Sequence, residues 1–382
     1  MPSAPPSAEI SERWGASPWT IDFVPPERAL PAISDFAIVG GGFTGLAAAA
    51  WLRLLAPEKS VVVLEGSTIG AGASGRTGGM VLAESAAGDL PGLGDVFAGL
   101  QNILGKLEVE CDLSLPGAWE IGRSGDAANP AILWKDSGTL RVVNEVPGGT
   151  LDPGELVSGL ARAAHRLGAI IREHHRVERV EWGDIPELHL ANARLRARKI
   201  LFANNAGSIG LSGLADSAFP KLTLAALSAP LTAGQLEAIG LAQRKPFYTV
   251  DFPYLWGRLR RDNSIVWGAG LVSPGESNDV REIDVAADEP VKMFQTLERR
   301  IRQLHPALAK ASFSHLWGGP ILFREEWTPV FDHHPSNSHG IVLGAFAGHG
   351  VALSVYLGAW AAEALVGQRE LPSWGAITPA SR

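Results

Sequence analysis

A single cysteine, Cys111, stands in 382 residues. It has no partner for an intramolecular disulfide, so no oxidising compartment is implied. Basic residues are outnumbered: 33 against 40 acidic give a net charge of −7 and an isoelectric point near 5.8. That balance argues against a nucleic-acid protein, which usually carries a basic face. The opening MPSAPPSAEISERWG lacks a basic stretch followed by an apolar one, so no secretory signal is expected and the cytoplasm is the expected location. Uninterrupted apolar runs are absent too. The most apolar late stretch, 344–366, contains His349, Glu363 and four glycines. A charge at a bilayer centre is costly, so this stretch reads as buried core rather than a membrane span. Glycine is what the chain has in abundance, 44 residues, clustered rather than periodic. At 46% hydrophobic and 19% charged, with a mean hydropathy of +0.09, the chain can bury a large core. Its length suits two or three domains of ~150 residues.

Residues 1–34 are rich in proline and serine and read as an extended arm, pinned by Trp14 and Trp19. The character changes at Asp35. Phe36, Ala37, Ile38 and Val39 form a short apolar run expected of a strand buried on both faces. Three glycines and an Ala/Leu-rich helix over 46–55 follow, then a second apolar strand over 61–64 closed by Glu65. Strand, helix and strand within about 30 residues make a βαβ unit. Further on, Asp152, Pro153, Gly154 and Glu155 read as a helix start, and Gly168 as its stop.

Gly40, Gly41, Gly42, Phe43, Thr44 and Gly45 satisfy G-x-G-x-x-G at the turn from strand to helix. The first glycine permits the tight turn, the second lets backbone approach a pyrophosphate, and the third lets helix and strand pack closely. Amide groups at the helix N-terminus then bind the diphosphate. Glu65, 20 residues beyond Gly45, is placed to accept both ribose hydroxyls and would repel a 2′-phosphate. The next stretch points to FAD rather than NAD. Residues 66–80 read GSTIGAGASGRTGGM, with six glycines in fifteen residues. A loop of this kind, including Gly66, Ser74, Gly75, Thr77, Gly78 and Gly79, can wrap an elongated ligand. Arg76 in its middle either neutralises the diphosphate or faces the flavin.

These segments resemble the D-amino-acid oxidase-like flavoproteins, which include glycine oxidase, sarcosine oxidase and γ-glutamylputrescine oxidase. The resemblance spans about residues 17–367. Ser17, Pro18 and Trp19 look like the putrescine-oxidase branch, and DFAIVGGGFTGLAAAAWL (35–52) and GAGASGRTGGMV (70–81) are close to the family pattern. By the same resemblance Val177 would contact adenine through its backbone, and residues 203–207, with Asn205 and Gly207, would make the second approach to FAD. Gly348, His349 and Gly350 would lie against the flavin ring. Where the family has Thr-Pro-Asp, this chain has Thr328, Pro329 and Val330. No cysteine lies within 317–331, so FAD is expected to be non-covalent. No lysine lies within 264–277, which puts rapid reaction with O2 in question.

The resemblance implies oxidation of a C–N bond in a small-molecule amine or amino acid, with hydride transfer to flavin N5, imine hydrolysis, and reoxidation by O2 to give H2O2. Two alternatives stay open. One is a dehydrogenase of an amino or 2-hydroxy acid that passes electrons to a quinone or carrier protein. The other is a flavoprotein whose FAD serves folding or partner binding. Residues 251–261 align with the family's substrate-domain strand. Arg258 is the candidate carboxylate clamp, because guanidinium binds carboxylate in two-point fashion. Tyr254 and Trp256 share its strand face as candidate pocket walls. A packed sheet with Arg258 in a structural salt bridge is an equal alternative, and Trp317 reads as core or as a site wall. The pairs His174–His175 and His333–His334 are not expected to bind metal, since neighbours on a strand point to opposite faces. Oligomeric state is not encoded in any of these signals.

The expected fold is α/β. A Rossmann-like FAD-binding domain, with a parallel sheet and helices on both faces, would come from 35–85, 150–215 and 320–382. A second, mixed-sheet α+β substrate domain would come from 86–149 and 216–319.

Overall fold

A computed structural model describes residues 13–123 and 129–377. The start of the expected arm (1–12), residues 124–128 of the expected substrate domain and 378–382 lie outside the described residues. The chain runs through β1 (Ile33–Val39), α1 (Phe43–Leu55), β2 (Val61–Leu64), β3 (Met80–Leu82) and α2 (Val96–Leu107). It continues through β4 (Ala118–Gly122), β5 (Asn129–Lys135), β6 (Thr139–Val146), β7 (Gly148–Thr150) and α3 (Pro153–Arg166). Next come β8 (Ile170–Arg172), β9 (Val177–Glu181), β10 (Glu187–Leu190), β11 (Ala193–Phe202) and β12 (Phe219–Ser228). The short helix α4 (Ala233–Ala238) precedes β13 (Phe247–Thr249), β14 (Trp256–Leu259), β15 (Ile265–Val272) and α5 (Asp288–Leu304). The last elements are β16 (Phe313–Phe323), β17 (Val330–His334), β18 (Asn337–Gly344) and α6 (Gly350–Leu365).

Two eight-stranded sheets organise these elements. The first has the order β17-β18-β11-β1-β2-β8, with β10 pairing both β11 and β9. From β18 to β8 its neighbours are parallel. Parallel strands need both faces covered, and every side chain of β2 is buried. Phe36, Ile38, Val61 and Val63 face one layer, where α1, α2, α3 and α6 share a core through Leu46, Leu100, Leu160 and Leu353. The alternate residues Ala37, Val39, Val62 and Leu64 face the other. There the β9–β10 ribbon and irregular segments supply Leu188, Leu190, Leu214 and Ile283, in a core that also takes in Phe294 of α5.

Helix α3 starts as its sequence predicts. Asp152 accepts from the amides of Gly154 and Glu155 at 2.8 and 3.0 Å, with Pro153 in the first turn. Helix α6 carries the apolar stretch that raised the membrane question, and it is buried in the first core. Among the described residues no helix is long and apolar enough to cross a membrane.

The second sheet has the order β16-β12-β15-β14-β13-β4-β6-β5 and is antiparallel except for the parallel pair β13–β4. Its core is aromatic. The rings of Trp134, Phe247 and Trp267 lie 4.9 to 5.9 Å apart, under Leu297, Ile301 and Leu304 of α5. Strand β16 belongs to this sheet through Phe323, so the sheet extends past position 320.

Candidate functional site

The turn between β1 and α1 is built by close approach. Gly40 has φ +112°, and a Cβ there would stand 2.6 Å from the Ala203 carbonyl. A Cβ on Gly45 would stand 2.0 Å from the Gly40 carbonyl oxygen. Gly45 is therefore a packing residue, while Gly40, Gly42, Phe43 and Thr44 line a cavity at the N-terminus of α1. Glu65, at the end of β2, accepts from the amides of Gly41 (2.8 Å) and Ser67 (2.7 Å). Burial pushes its carboxyl above the ordinary value, against the opposing pull of those two amides. Gly66 and Val177 line the cavity beside it.

The glycine-rich loop forms one wall of the same cavity. Ser74, Arg76, Thr77 and Gly78 line it, and Ser74 Oγ accepts from the Phe43 amide at 2.9 Å. Gly75 and Gly79 pack instead. A Cβ on either would stand within 2.5 Å of a carbonyl oxygen, that of Gly70 or Leu151. Arg76 is 6% exposed. It donates to the carbonyls of Gly15 (2.7 Å), Gly318 (3.2 Å) and Ala71 (3.2 Å), and its guanidinium lies 5.5 Å from the Trp14 ring centre. Burial lowers its pKa to about 10, so it stays charged at neutral pH.

At the far end His349 occupies the N-cap position of α6, between Gly348 and Gly350. Its Nδ1 is buried and has no partner of good hydrogen-bond geometry among the described residues, the Ala347 backbone being its polar neighbour. Burial lowers the imidazole's pKa, with the Ala347 backbone opposing, so the ring is neutral at physiological pH. Asn205 has φ +43° and accepts from the Ala345 amide at 2.9 Å. Gly207 has nothing within 4 Å of where a Cβ would be. Asn205, Gly207, Gly348, His349 and Gly350 all line the cavity, which is continuous with Glu65 and has a volume of about 1350 Å³. Ordinary small-molecule sites hold ~300–1,000 Å³, so there is room for a dinucleotide and a second molecule. The donor set fits FAD: a helix N-terminus, a buried cation and orphaned polar atoms on Ser67, His349 and Ser354.

Beyond the His349 end the cavity enters the second sheet. The Tyr248 hydroxyl donates to Glu120 Oε1 at 2.9 Å, and Asn144 donates to Oε2 at 3.0 Å. Burial, then Glu120 and Asp89, raises the Glu84 carboxyl; burial and Glu120 raise Tyr248. All three of Glu84, Glu120 and Tyr248 line the cavity, as does Trp14. Sequence reasoning missed these four as site residues. Glu120 and Tyr248 meet only through the pairing of β4 with β13. Trp256 lines the cavity, and its ring leaves no room for a Cβ on Gly78 or Gly268. Tyr254 stands at the rim, 43% exposed, with Phe252 at a ring distance of 4.3 Å.

Arg258 is elsewhere. It does not line the cavity; it is 3% exposed and donates to the carbonyls of Gly78 (2.8 Å) and Leu151 (3.0 Å). The expected carboxylate clamp does not hold in this geometry, because backbone acceptors from two distant segments already occupy the guanidinium. Among the described residues no acidic partner bonds it either, so the salt-bridge alternative is not met there. Trp317 is fully buried and donates to the Arg76 carbonyl at 2.9 Å.

Glu181, Glu187 and His189 form a cluster on the β9–β10 ribbon. Arg179 donates to His189 Nδ1 at 3.0 Å, which leaves the ring proton on Nε2, 3.2 Å from an oxygen of each of Glu181 and Glu187. That tautomer is a donor and not a ligand. Cys111 is buried, and its thiol is pushed up to about 12.

Residues 35–364 match the family of FAD dependent oxidoreductases, DAO. The chain is 24% identical to gamma-glutamylputrescine oxidoreductase of Escherichia coli (strain K12) over 381 residues, covering 88% of this chain and 84% of that protein. Among solved structures, glycine oxidase from Geobacillus kaustophilus superposes with a TM-score of 0.70 at 18% identity, covering 89% of this chain and 96% of that one. L-proline dehydrogenase from P. horikoshii superposes with a TM-score of 0.68 at 16% identity, covering 90% and 96%. The chain belongs to the family of FAD-dependent oxidoreductases, and FAD is its cofactor.

Proposed function

We propose, from that membership, that the protein oxidises the C–N bond of an amine or amino acid, with FAD held non-covalently. The observation that carries this reading is the single cavity running from Glu65, past His349, into a chamber walled by Tyr248, Glu120 and Glu84. In this reading Glu65 holds the ribose and the N-terminus of α1 the diphosphate, with Arg76 adding positive charge. The chemistry FAD supplies when bound is acceptance of a hydride at N5 from the carbon bearing nitrogen. Tyr248, Trp256 and Tyr254 orient that carbon. Glu120 and Glu84 draw a cationic amine into the chamber, and Glu120 is positioned to take the ammonium proton so that nitrogen is neutral when the C–H bond breaks. The product imine adds water and releases a carbonyl compound and an amine or ammonia. The two electrons and two protons pass to O2, giving H2O2.

The carboxylate lining favours an amine without a carboxylate beside the reacting carbon. Arg258 lies outside the cavity; Arg300 and Lys292 of α5 line it, and Arg300 is held by Asp136 at 2.6 Å. An anaerobic screen of amines, amino acids and hydroxy acids, following loss of the oxidised flavin's colour, tests the reading. Bleaching by amines supports it. Bleaching by hydroxy acids alone, or by none of the three, overturns it.

A second reading differs in the electron acceptor. Phe252, Tyr254, Leu271 and Trp327 are exposed and surround the cavity. An apolar collar of this kind favours transfer to a lipophilic quinone. Aerobic turnover with stoichiometric peroxide selects the oxidase. Turnover only with an added quinone selects the dehydrogenase.

A further inference from the structure

The loop that forms one wall of the FAD cavity has an unusual backbone. Four consecutive carbonyls are held by side-chain donors from outside the loop. Ser17 Oγ donates to Gly75 (2.7 Å), Trp317 Nε1 to Arg76 (2.9 Å), Trp19 Nε1 to Thr77 (2.8 Å) and Arg258 Nε to Gly78 (2.8 Å). None of those four donor residues lines the cavity. The carbonyl oxygens are therefore drawn to the outside of the loop. A carbonyl facing the ligand would repel a diphosphate, because both are acceptors and neither offers a proton. Two of the four donors belong to the N-terminal arm, and a third depends on it, since the Arg258 guanidinium lies 4.9 Å from the Trp19 ring centre.

The arm also accounts for the buried charge. Arg76 and Arg258 are both buried, and neither forms an ion pair among the described residues. Each lies against an arm tryptophan, Arg76 with Trp14 and Arg258 with Trp19. The face of an aromatic ring attracts a cation, and more strongly when water is excluded. The Gly15 carbonyl, 2.7 Å from Arg76 Nη1, adds a further acceptor. Trp14, 4% exposed, itself lines the cavity.

We propose that residues 14–19 are part of the cofactor site: a strap that fixes the 75–78 loop with its carbonyls outward and so sets FAD affinity. Trp19 and Ser17 are positioning residues, acting through the loop and touching neither cofactor nor substrate. Trp14 is a wall of the site. The proposal concerns FAD alone and holds whatever the substrate.

The test is FAD titration of flavin-stripped full-length protein, read by flavin fluorescence. Ser17→Ala and Trp19→Phe each delete one donor and keep the fold of the arm, and each is expected to raise the FAD Kd about fivefold. Trp19→Leu also removes the ring from Arg258 and is expected to raise it about thirtyfold. Thermal unfolding of the stripped variants separates this role from a merely structural one: a strap raises Kd more than it lowers apo stability. By reciprocity, saturating FAD should slow proteolytic cleavage within residues 13–19 of the unmodified protein. Kd values within twofold of the parent for both Ser17→Ala and Trp19→Phe overturn the proposal, as does cleavage at the same rate with and without FAD. If Trp19→Leu does not fold, the two milder variants decide.

Discussion

Replacing Gly45 by alanine places a methyl carbon 2.0 Å from the Gly40 carbonyl oxygen and 3.1 Å from Ile38 Cγ2. Carbon meets carbonyl oxygen at ~3.3–3.6 Å, so α1 must move away from β1 by more than about 1 Å. The obstacle is backbone, which cannot swing aside. Overpacking costs about 1–3 kcal/mol, and the upper end applies here. Alanine in place of glycine within a helix returns about 1 kcal/mol, leaving a net loss of about 2 kcal/mol. For a chain of this size that lowers the apo Tm by roughly 2.5 °C. In the proposed reading the displaced element carries the amides that receive the diphosphate, so FAD binding should weaken by up to about thirtyfold. Gly207→Ala is the matched comparison, because nothing lies within 4 Å of its Cβ position and it lines the cavity. Its apo stability should change by less than about 0.5 kcal/mol, while FAD affinity falls about tenfold as the methyl enters the cofactor's space. Gly183→Ala, also without neighbours but outside the cavity, should change neither. The assay is thermal unfolding of stripped protein beside FAD titration. If Gly45→Ala leaves both values unchanged, or Gly207→Ala destabilises the apo protein as much, the division between packing and cofactor-facing glycines is wrong.

Arg258→Leu leaves the buried Gly78 and Leu151 carbonyls without their donor and should cost about 2–4 kcal/mol of stability. It should not discriminate among substrates; a KM rise confined to carboxylate-bearing ones would restore the clamp. Glu120→Gln removes the charge that Tyr248 and Asn144 hold in the chamber and should raise KM for an amine roughly tenfold, with FAD Kd unchanged; an unchanged KM refutes the role. Glu65 has its folded pKa raised above 4.5 by burial. The native state therefore binds more protons than the unfolded chain in the window above 4.5, and apo stability falls as pH rises through it. Under the proposed ribose contact FAD selects the ionised form, so the gap in Tm between holo and apo protein should widen from pH 5 to pH 7; a narrowing gap contradicts the assignment.

The β1–α1–β2 end of the cavity was legible because its signals are local. Strand, glycine turn, helix and Glu65 lie within about 30 residues, and each step follows from period and turn chemistry. The Tyr248 end was not, because its contacts are distant in sequence. Alternation was expected to put Tyr254, Trp256 and Arg258 on one strand face, but β14 begins at Trp256 and leaves Tyr254 outside it, and alternation could not show that Gly78 and Leu151, 180 and 107 residues away, would take the guanidinium. Tyr248 and Glu120 are 128 residues apart, and neither carries a motif. A buried strand reports that it is covered and not by what, so the place of the β9–β10 ribbon over the second face of the parallel sheet was not foreseen.

The parallel pairing of β4 with β13 also fixes an order of events during biosynthesis. At ribosomal speeds of ~5–20 residues per second, β4 waits about 6 to 26 s for its neighbour to emerge. Through that interval Trp119 and Ile121, destined for complete burial, stand beside an unpaired strand edge on the nascent polypeptide. Slow translation or truncation within 123–246 would lengthen that exposure, and this seam is where chaperone demand should concentrate.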